Sequence, residues 1–322
     1  MRIGIDLSGV DDKNEIISFL NTFYEKDVTM VSYGIPQDLN FIKNEHIEKI
    51  FCSEEVHISD DPARVHRRKK DSTMIRMIND LKEDKIDISI SGGSTGAYMA
   101  SGIFIIGRIS DVKKPALATV LPTVTEHKFL LADLGANVEA KPKDLYNYAK
   151  LSILYMKNIY KIDNPTLSLL NIGTEENKGN KLYKEAFLLL KNGFGNFKGN
   201  MEAREILNHK YDIILADGFS GNILLKTIEG VAKSLSSMIK SIFLSSILSR
   251  ISGLLIKKQL KIFKKKFDYS EYGGAILLGL TKPLIKVHGS ADKKAIYFAV
   301  QQAKKIYKTN LYEKMIKEFK GE

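Results

Sequence analysis

The stretch from Asp87 to Arg108, DISISGGSTGAYMASGIFIIGR, constrains this chain more than any other. Ile86, Ile88 and Ile90 give it the β-branched character of a buried strand. Ser91-Gly92-Gly93-Ser94-Thr95-Gly96 follows, and its glycines let the backbone turn sharply with no Cβ in the way. A helix is expected to start at Ser94 or Thr95. Unpaired N–H groups at a helix start, with the positive end of its dipole, suit a phosphate or another oxyanion. The same residues also describe a tight strand-to-helix connection with a Ser or Thr cap. No Gly-Lys-Ser/Thr closes the turn as in a Walker A loop, and its glycines lack the Gly-x-Gly-x-x-Gly spacing of dinucleotide folds.

The remaining chain repeats this strand, loop and helix alternation. Arg2 to Asp6 reads as an opening strand with Leu7 to Asp11 as its loop, a helix is expected over Asn14 to Glu25, and Val28 to Ser32 and His46 to Phe51 read as further strands. Pro115 to Leu121 and Lys128 to Asp133 read as two strands, the second ending in Asp133-Leu134-Gly135-Ala136-Asn137. Pro142 opens a long amphipathic helix with Leu145, Tyr148, Ala149, Ser152 and Tyr155 at helical spacing. The alternation predicts a doubly wound α/β sheet, and 322 residues suffice for one large α/β domain spanning 1–322. With 44% hydrophobic and 27% charged residues the chain is globular rather than disordered. A single cysteine, Cys52, leaves no internal disulfide and reads as inert core in a reducing compartment. An N-terminus that starts directly as a strand, with no apolar signal segment, gives a cytoplasmic expectation.

Chemistry gathers at strand ends. Leu167 to Ile172 is strongly apolar and runs into Gly173 to Asn180, where Lys178 beside Gly179 is placed either to reach a ligand or to be a surface lysine. Tyr211 to Ala216 leads into Asp217-Gly218-Phe219-Ser220-Gly221-Asn222, and Asn222 and Lys226 are four apart, on one helical face. Pro283 to Val287 leads into His288-Gly289-Ser290-Ala291-Asp292 and a last long helix. In a parallel sheet these ends share one edge, so they are expected to converge on a pocket for an anionic reactant. A net charge of +11 agrees with an acidic partner. The densest basic run, Arg64-Val65-His66-Arg67-Arg68-Lys69-Lys70, fits a docking patch for an acidic protein, substrate phosphates or a solvated face. Aromatic interleaving is absent from it, so nucleic acid is not an expected partner.

Taken together, Ser91 to Ala97, Gly107-Arg108, Leu121-Pro122-Thr123, Asp133 to Asn137, Leu170 to Glu175, Lys178-Gly179-Asn180, Asp217-Gly218-Phe219, Gly221-Asn222, Tyr272 to Ala275 and His288-Gly289-Ser290 resemble the PlsX family over essentially the whole chain. These are acyl carrier protein-dependent phosphate acyltransferases of bacterial phospholipid synthesis. Two places depart from the family pattern: Ser8 and Val10 in the first loop, and Ser94 where the family has Asn. The resemblance implies a Rossmann-like three-layer α/β/α sandwich that dimerises and needs no cofactor. Its reaction is transfer of a long acyl group from the carrier's phosphopantetheine thioester to inorganic phosphate, with a downstream glycerol-3-phosphate acyltransferase as a further partner. Phosphate is already an oxyanion, so such a site must position two negatively charged reactants and stabilise a tetrahedral oxyanion. On that chemistry Lys178 and His288 are the catalytic candidates: Lys178 neutralises phosphate or the oxyanion, and His288 donates to the departing thiol or to the carbonyl. Ser94, Thr95 and Gly96 position phosphate, Lys226 adds charge, and Asn137, Asp217 and Asn222 orient these groups. Asn180, Gly218 and Ser290 complete the substrate-binding set.

The segment 240–270 stands outside the sandwich pattern. Between Ile242 and Phe267 apolar residues alternate with Arg250, Lys257, Lys258, Lys261, Lys264, Lys265 and Lys266, a charge density that excludes a bilayer-spanning helix. It is expected to protrude as a basic amphipathic helical hairpin that lies on anionic lipid, contacts the carrier or packs between subunits. The first of these makes the enzyme peripherally membrane-associated. Two other functions fit the chain: a phosphotransacetylase-like enzyme using acyl-CoA, and a non-catalytic scaffold for carrier and membrane. Scattered histidines with one cysteine give no metal site.

Overall fold

Apolar residues on both faces of the strands decide the architecture. In β1 (Arg2–Asp6), Ile3 and Ile5 join one core cluster while Gly4 faces Met77 and Ile86 of the other. A computed structural model describes residues 1–125, 127–259, 271 and 273–321. The other strands are β2 (Thr29–Gly34), β3 (Glu48–Phe51), β4 (Ile88–Ser91), β5 (Ala116–Pro122), β6 (Lys128–Ala132), β7 (Leu167–Asn171), β8 (Phe197–Glu202), β9 (Ile213–Leu215), β10 (Ala275–Leu278) and β11 (Leu284–Lys286). They form one sheet in the order β3-β2-β1-β4-β11-β10-β5-β6-β9-β7-β8.

The described helices are α1 (Lys13–Thr22), α2 (Pro36–Leu39), α3 (Val65–Arg68), α4 (Thr73–Lys82), α5 (Thr95–Ser101), α6 (Pro142–Tyr160), α7 (Lys181–Gly193), α8 (Gly218–Leu244), α9 (Ile247–Leu255), α10 (Lys293–Lys308) and α11 (Leu311–Lys320). Buried side chains of α1, α6, α7, α10 and α11 fill one core cluster and those of α4 and α5 the other, which makes the fold a Rossmann-like α/β/α sandwich. Burial pushes the Cys52 thiol up to about 12, as befits an inert core residue.

Strand direction departs from the expected convergence on one edge. Strands β3, β2, β1, β4 and β11 run parallel. Strand β10 is antiparallel to both β11 and β5, and β5 is antiparallel to β6. From β6 the sheet continues in parallel through β9, β7 and β8. Three successive reversals therefore point the second half of the sheet opposite to the first. The ends of β4 and β11 leave at one edge, and those of β7 and β9 at the other. The first helix is also shorter than expected: it stops at Thr22, Phe23 is already extended, and Glu25 bridges to Val28 in a tight turn.

Helix α8 explains the protruding segment. It is 27 residues long, about 40 Å at 1.5 Å per residue, and its buried residues are confined to Gly218, Gly221 and Leu224. The rest leaves the body and folds back through α9, where Phe243 lies against Gly253. Lys261, Lys264, Lys265, Lys266 and Tyr272 lie outside the described residues.

Candidate functional site

At the first edge three adjacent strands, β1, β4 and β11, release three loops that touch. The loop after β1 is held by Asp6, whose carboxylate accepts from the Ser8 N–H at 2.9 Å, the Ser8 hydroxyl at 2.7 Å and the Ser91 hydroxyl at 2.8 Å. Burial raises the Asp6 pKa, against these bonds and the nearby Thr73 hydroxyl. Gly9 lies at φ +79°, and a Cβ there would stand 2.1 Å from the Gly93 Cα, so the first loop seats directly on the Gly-rich one. Val10 packs against Gly92 from the same loop, and Ser8 closes the Asp6 network. Two of the departures from the family pattern thus sit at this loop-to-loop contact. The third loop joins through the Asp11 N–H, which donates to the Gly289 carbonyl at 2.7 Å.

Ser94 caps α5, its hydroxyl accepting from the Ala97 N–H at 3.4 Å, and Thr95 and Gly96 are exposed beside it. His288 is exposed at the head of the third loop. Its Nδ1 accepts the Ser290 N–H at 3.1 Å and lies 2.8 Å from the Ser290 hydroxyl. A backbone N–H can only donate, so neutral His288 carries its proton on Nε2 and presents an N–H outward.

Lys286, which sequence reading passed over, is the last residue of β11. Its ammonium donates to the Gly92 carbonyl at 3.0 Å and to the Val287 carbonyl. A lone lysine within the otherwise apolar run Pro283 to Val287 is the signal that marks it.

At the second edge β6, β9 and β7 likewise release neighbouring loops, but these satisfy one another. Asp217 caps α8: one oxygen accepts the Phe219 and Ser220 N–H groups at 2.9 Å each, and the other accepts the Tyr183 and Ser220 hydroxyls at 2.5 and 2.9 Å. Tyr183 donates its N–H to Asn180 at 3.2 Å, which caps α7, so Asn180 and Asp217 are joined through one tyrosine. The Asn137 amide donates to the Pro115 carbonyl, Asp133 and Tyr148 at 2.7, 3.0 and 2.9 Å. Gly218 packs against Asp133 and the Asn137 carbonyl, and Asn222 lies on Gly135. Burial raises the Asp133 pKa, against four N–H bonds. Of the predicted residues at this edge, Lys178, Asn180 and Asn222 are exposed, Lys178 in a loose pair with Glu175 at 3.7 Å.

The predicted set therefore falls into two groups. Ser94, Thr95, Gly96, His288 and Ser290 come together at the first edge. Asn137, Lys178, Asn180, Asp217, Gly218 and Asn222 gather at the second. Lys226, two turns along α8, bridges them in part: its charge lies near enough to disfavour that of Lys286. Between β11 and β7 lie five strand spacings, about 24 Å at about 4.8 Å each. Lys178 and His288 therefore follow strands that end at opposite edges of the sheet. Among the described residues no cluster of three or more His, Cys, Asp or Glu is placed to hold a metal.

Comparison with known proteins agrees with the fold and adds the chemistry. The profile of the fatty acid synthesis protein family matches residues 1–314. A phosphate acyltransferase from Staphylococcus haemolyticus is 44% identical over 310 residues, covering 94% of each chain. One from Oceanobacillus iheyensis is 44% identical over 308 residues, covering 94% of this chain and 93% of its own. Among solved structures, a phosphotransacetylase from Streptococcus pyogenes superposes with a TM-score of 0.60 at 17% identity, over 95% of this chain and 94% of its own, a likeness of fold.

Proposed function

The chain belongs to the fatty acid synthesis protein family, that of PlsX, and is a phosphate acyltransferase; from that premise we propose how it works, on which donor and where. The acyl donor is a long-chain thioester of acyl carrier protein, the acceptor is inorganic phosphate, and the products are acyl phosphate and free carrier. The observation that carries the placement is the first edge, where three touching loops present Ser94, Thr95, Gly96 and the Nε2–H of His288 together.

A phosphate oxygen attacks the thioester carbonyl carbon, and the carbonyl π electrons move onto oxygen. His288 donates a hydrogen bond from Nε2 to that oxyanion, the role its tautomer favours over giving up a proton outright. Collapse re-forms the carbonyl and breaks the C–S bond. With a thiol pKa of about 8.5 the leaving group departs as thiolate and is protonated by water. Lys178 supplies the charge that neutralises the incoming phosphate.

Since Lys178 lies at the far edge, the working site takes it from a second copy of the chain. A homodimer is supported by α8, where Val231, Leu235, Met238 and Ile242 form an exposed apolar stripe at helical spacing. Residues 1–322 then act as one acyltransferase domain, supported by the single sheet that runs from β3 to β8.

The carrier approaches over the basic run. Lys69 is taken by Asp60 and the Glu55 carbonyl, while Arg67, Arg68 and Lys70 stay exposed, and Pro62 just before them packs over Gly96. Peripheral attachment to an anionic membrane is supported by the hairpin tip, where Ile247, Leu248 and Leu255 are 75–79% exposed and Arg250, Lys257 and Lys258 flank them. Among the described residues no helix is long and apolar enough to cross a membrane. Attachment at the cytoplasmic face would release acyl phosphate, a labile mixed anhydride, near a downstream glycerol-3-phosphate acyltransferase.

The test is acyl phosphate formation, trapped as hydroxamate, from long-chain acyl carrier protein and from the matching acyl-CoA. Phosphate-dependent product with strong preference for the carrier is expected. Equal use of acyl-CoA would replace the carrier reading with a phosphotransacetylase-like one.

A further inference from the structure

Lys286 takes no part in the chemistry above, yet it holds the place where that chemistry is assembled. Its ammonium donates to Gly92 in the loop that carries Ser94, and to Val287 in the loop that carries His288. One cation thus ties together the two loops whose groups must face the same reactants. The Val287 N–H in turn donates to the Ser91 carbonyl at 3.0 Å, so the tie runs along the seam between β4 and β11. Charged groups face it from three sides: Asp6 from β1, Asp11 from the loop after β1, and Lys226 from α8. The side chain is half-buried, not sealed in.

We propose that Lys286 is a positioning residue of the phosphate site: its ammonium holds the Gly92 and Val287 carbonyls turned toward itself, away from the anion, keeps the Ser94 and His288 loops in register, and lends the site a positive charge near neutral pH. Carbonyl oxygens facing an incoming phosphate would repel it, and a charged donor holds them more firmly than a neutral amine. Burial pulls the Lys286 ammonium down to about 8, with Lys226 acting in the same direction and Asp6 and Asp11 against it. The charge is therefore present near neutral pH and lost as pH rises through about 8. Because the charged form is the one burial penalises, the same rise adds stability while it weakens phosphate binding. Inorganic phosphate has already lost its second proton by then, so it does not produce the alkaline change itself.

The inference rests on the proposed reaction, and the experiment separates the two. Initial rates are measured against phosphate concentration from about pH 7 to about pH 9.5 for the full chain, Lys286→Met and Lys286→Arg, with thermal shifts by inorganic phosphate alongside. Lys286→Met is expected to raise KM for phosphate about tenfold or more, with KM for the acyl donor within about twofold. Lys286→Arg should restore most of that affinity and abolish the alkaline rise in KM, since a guanidinium does not titrate there. An unchanged phosphate KM in Lys286→Met, or an alkaline rise that survives in Lys286→Arg, overturns the inference. A wild-type chain that makes no acyl phosphate but shows a phosphate-induced thermal shift, lost in Lys286→Met, would sink the reaction and leave the role of Lys286 standing. Should Lys286→Met not fold, the wild-type and Lys286→Arg pH profiles decide alone.

Discussion

Asp217 and His288 follow the same kind of strand end, an apolar run closed by a small polar turn, and they finish in opposite situations. Asp217 is buried, and its two oxygens accept four hydrogen bonds from α8 and Tyr183. His288 is exposed, and only its inner nitrogen is engaged, by Ser290 of its own loop. The contrast extends to whole edges. The second edge uses most of its polar groups as caps and braces, whereas the first ties its loops together by Asp6 and Lys286 and leaves hydroxyls and an imidazole facing outward. A polar motif at a strand end becomes a reactant or a cap according to how many internal partners the fold brings to it.

Substitutions that remove one group at each edge sharpen this contrast. His288→Gln should lower kcat by about 10² to 10³ with the melting temperature unchanged, since an exposed side chain carries little stability. Steady-state kinetics with a parallel melt checks it; a stability loss matching the activity loss would erase the distinction between the edges. Asp217→Ala should do the reverse, costing about 2 to 4 kcal/mol by stripping the α8 cap and leaving the Tyr183 hydroxyl without its carboxylate acceptor, as read by urea unfolding. Full stability in that variant would mean that Asp217 is free to act on substrate after all. A charge reversal at Arg67 and Arg68 is expected to raise KM for the acyl carrier about tenfold and to flatten its salt dependence, with acyl-CoA unaffected. The smallest effect belongs to Ser94→Ala, about 1 kcal/mol of stability from the lost cap and a few-fold in KM for phosphate.

Much of this fold was legible in sequence because burial on both faces leaves a plain trace. Ile88 and Ile90 before the glycines, Leu167 to Asn171, and Pro142 at a helix start all stand where pattern and cap chemistry place them. Direction was not legible. Ala275–Leu278 is four residues long, too short to announce itself, yet as β10 it is one of the strands that turn the second half of the sheet around. Without it, the loops bearing Lys178 and His288 read as neighbours. Lys286 was missed for a related reason: a lysine at a strand end looks like any solvated terminus until the Gly92 carbonyl is seen above it. The Ser94 cap and the helix that follows it were readable because their cause is local.

The division of the site between two edges is tested most directly by mixing two inactive chains. Lys178→Ala and His288→Gln are purified separately, shown to lack turnover, then unfolded and refolded together. Random pairing of two copies should restore about a quarter of wild-type activity, because a mixed dimer keeps one complete site. A refolded mixture no more active than its parts, despite demonstrated exchange of subunits, would contradict a site shared between chains.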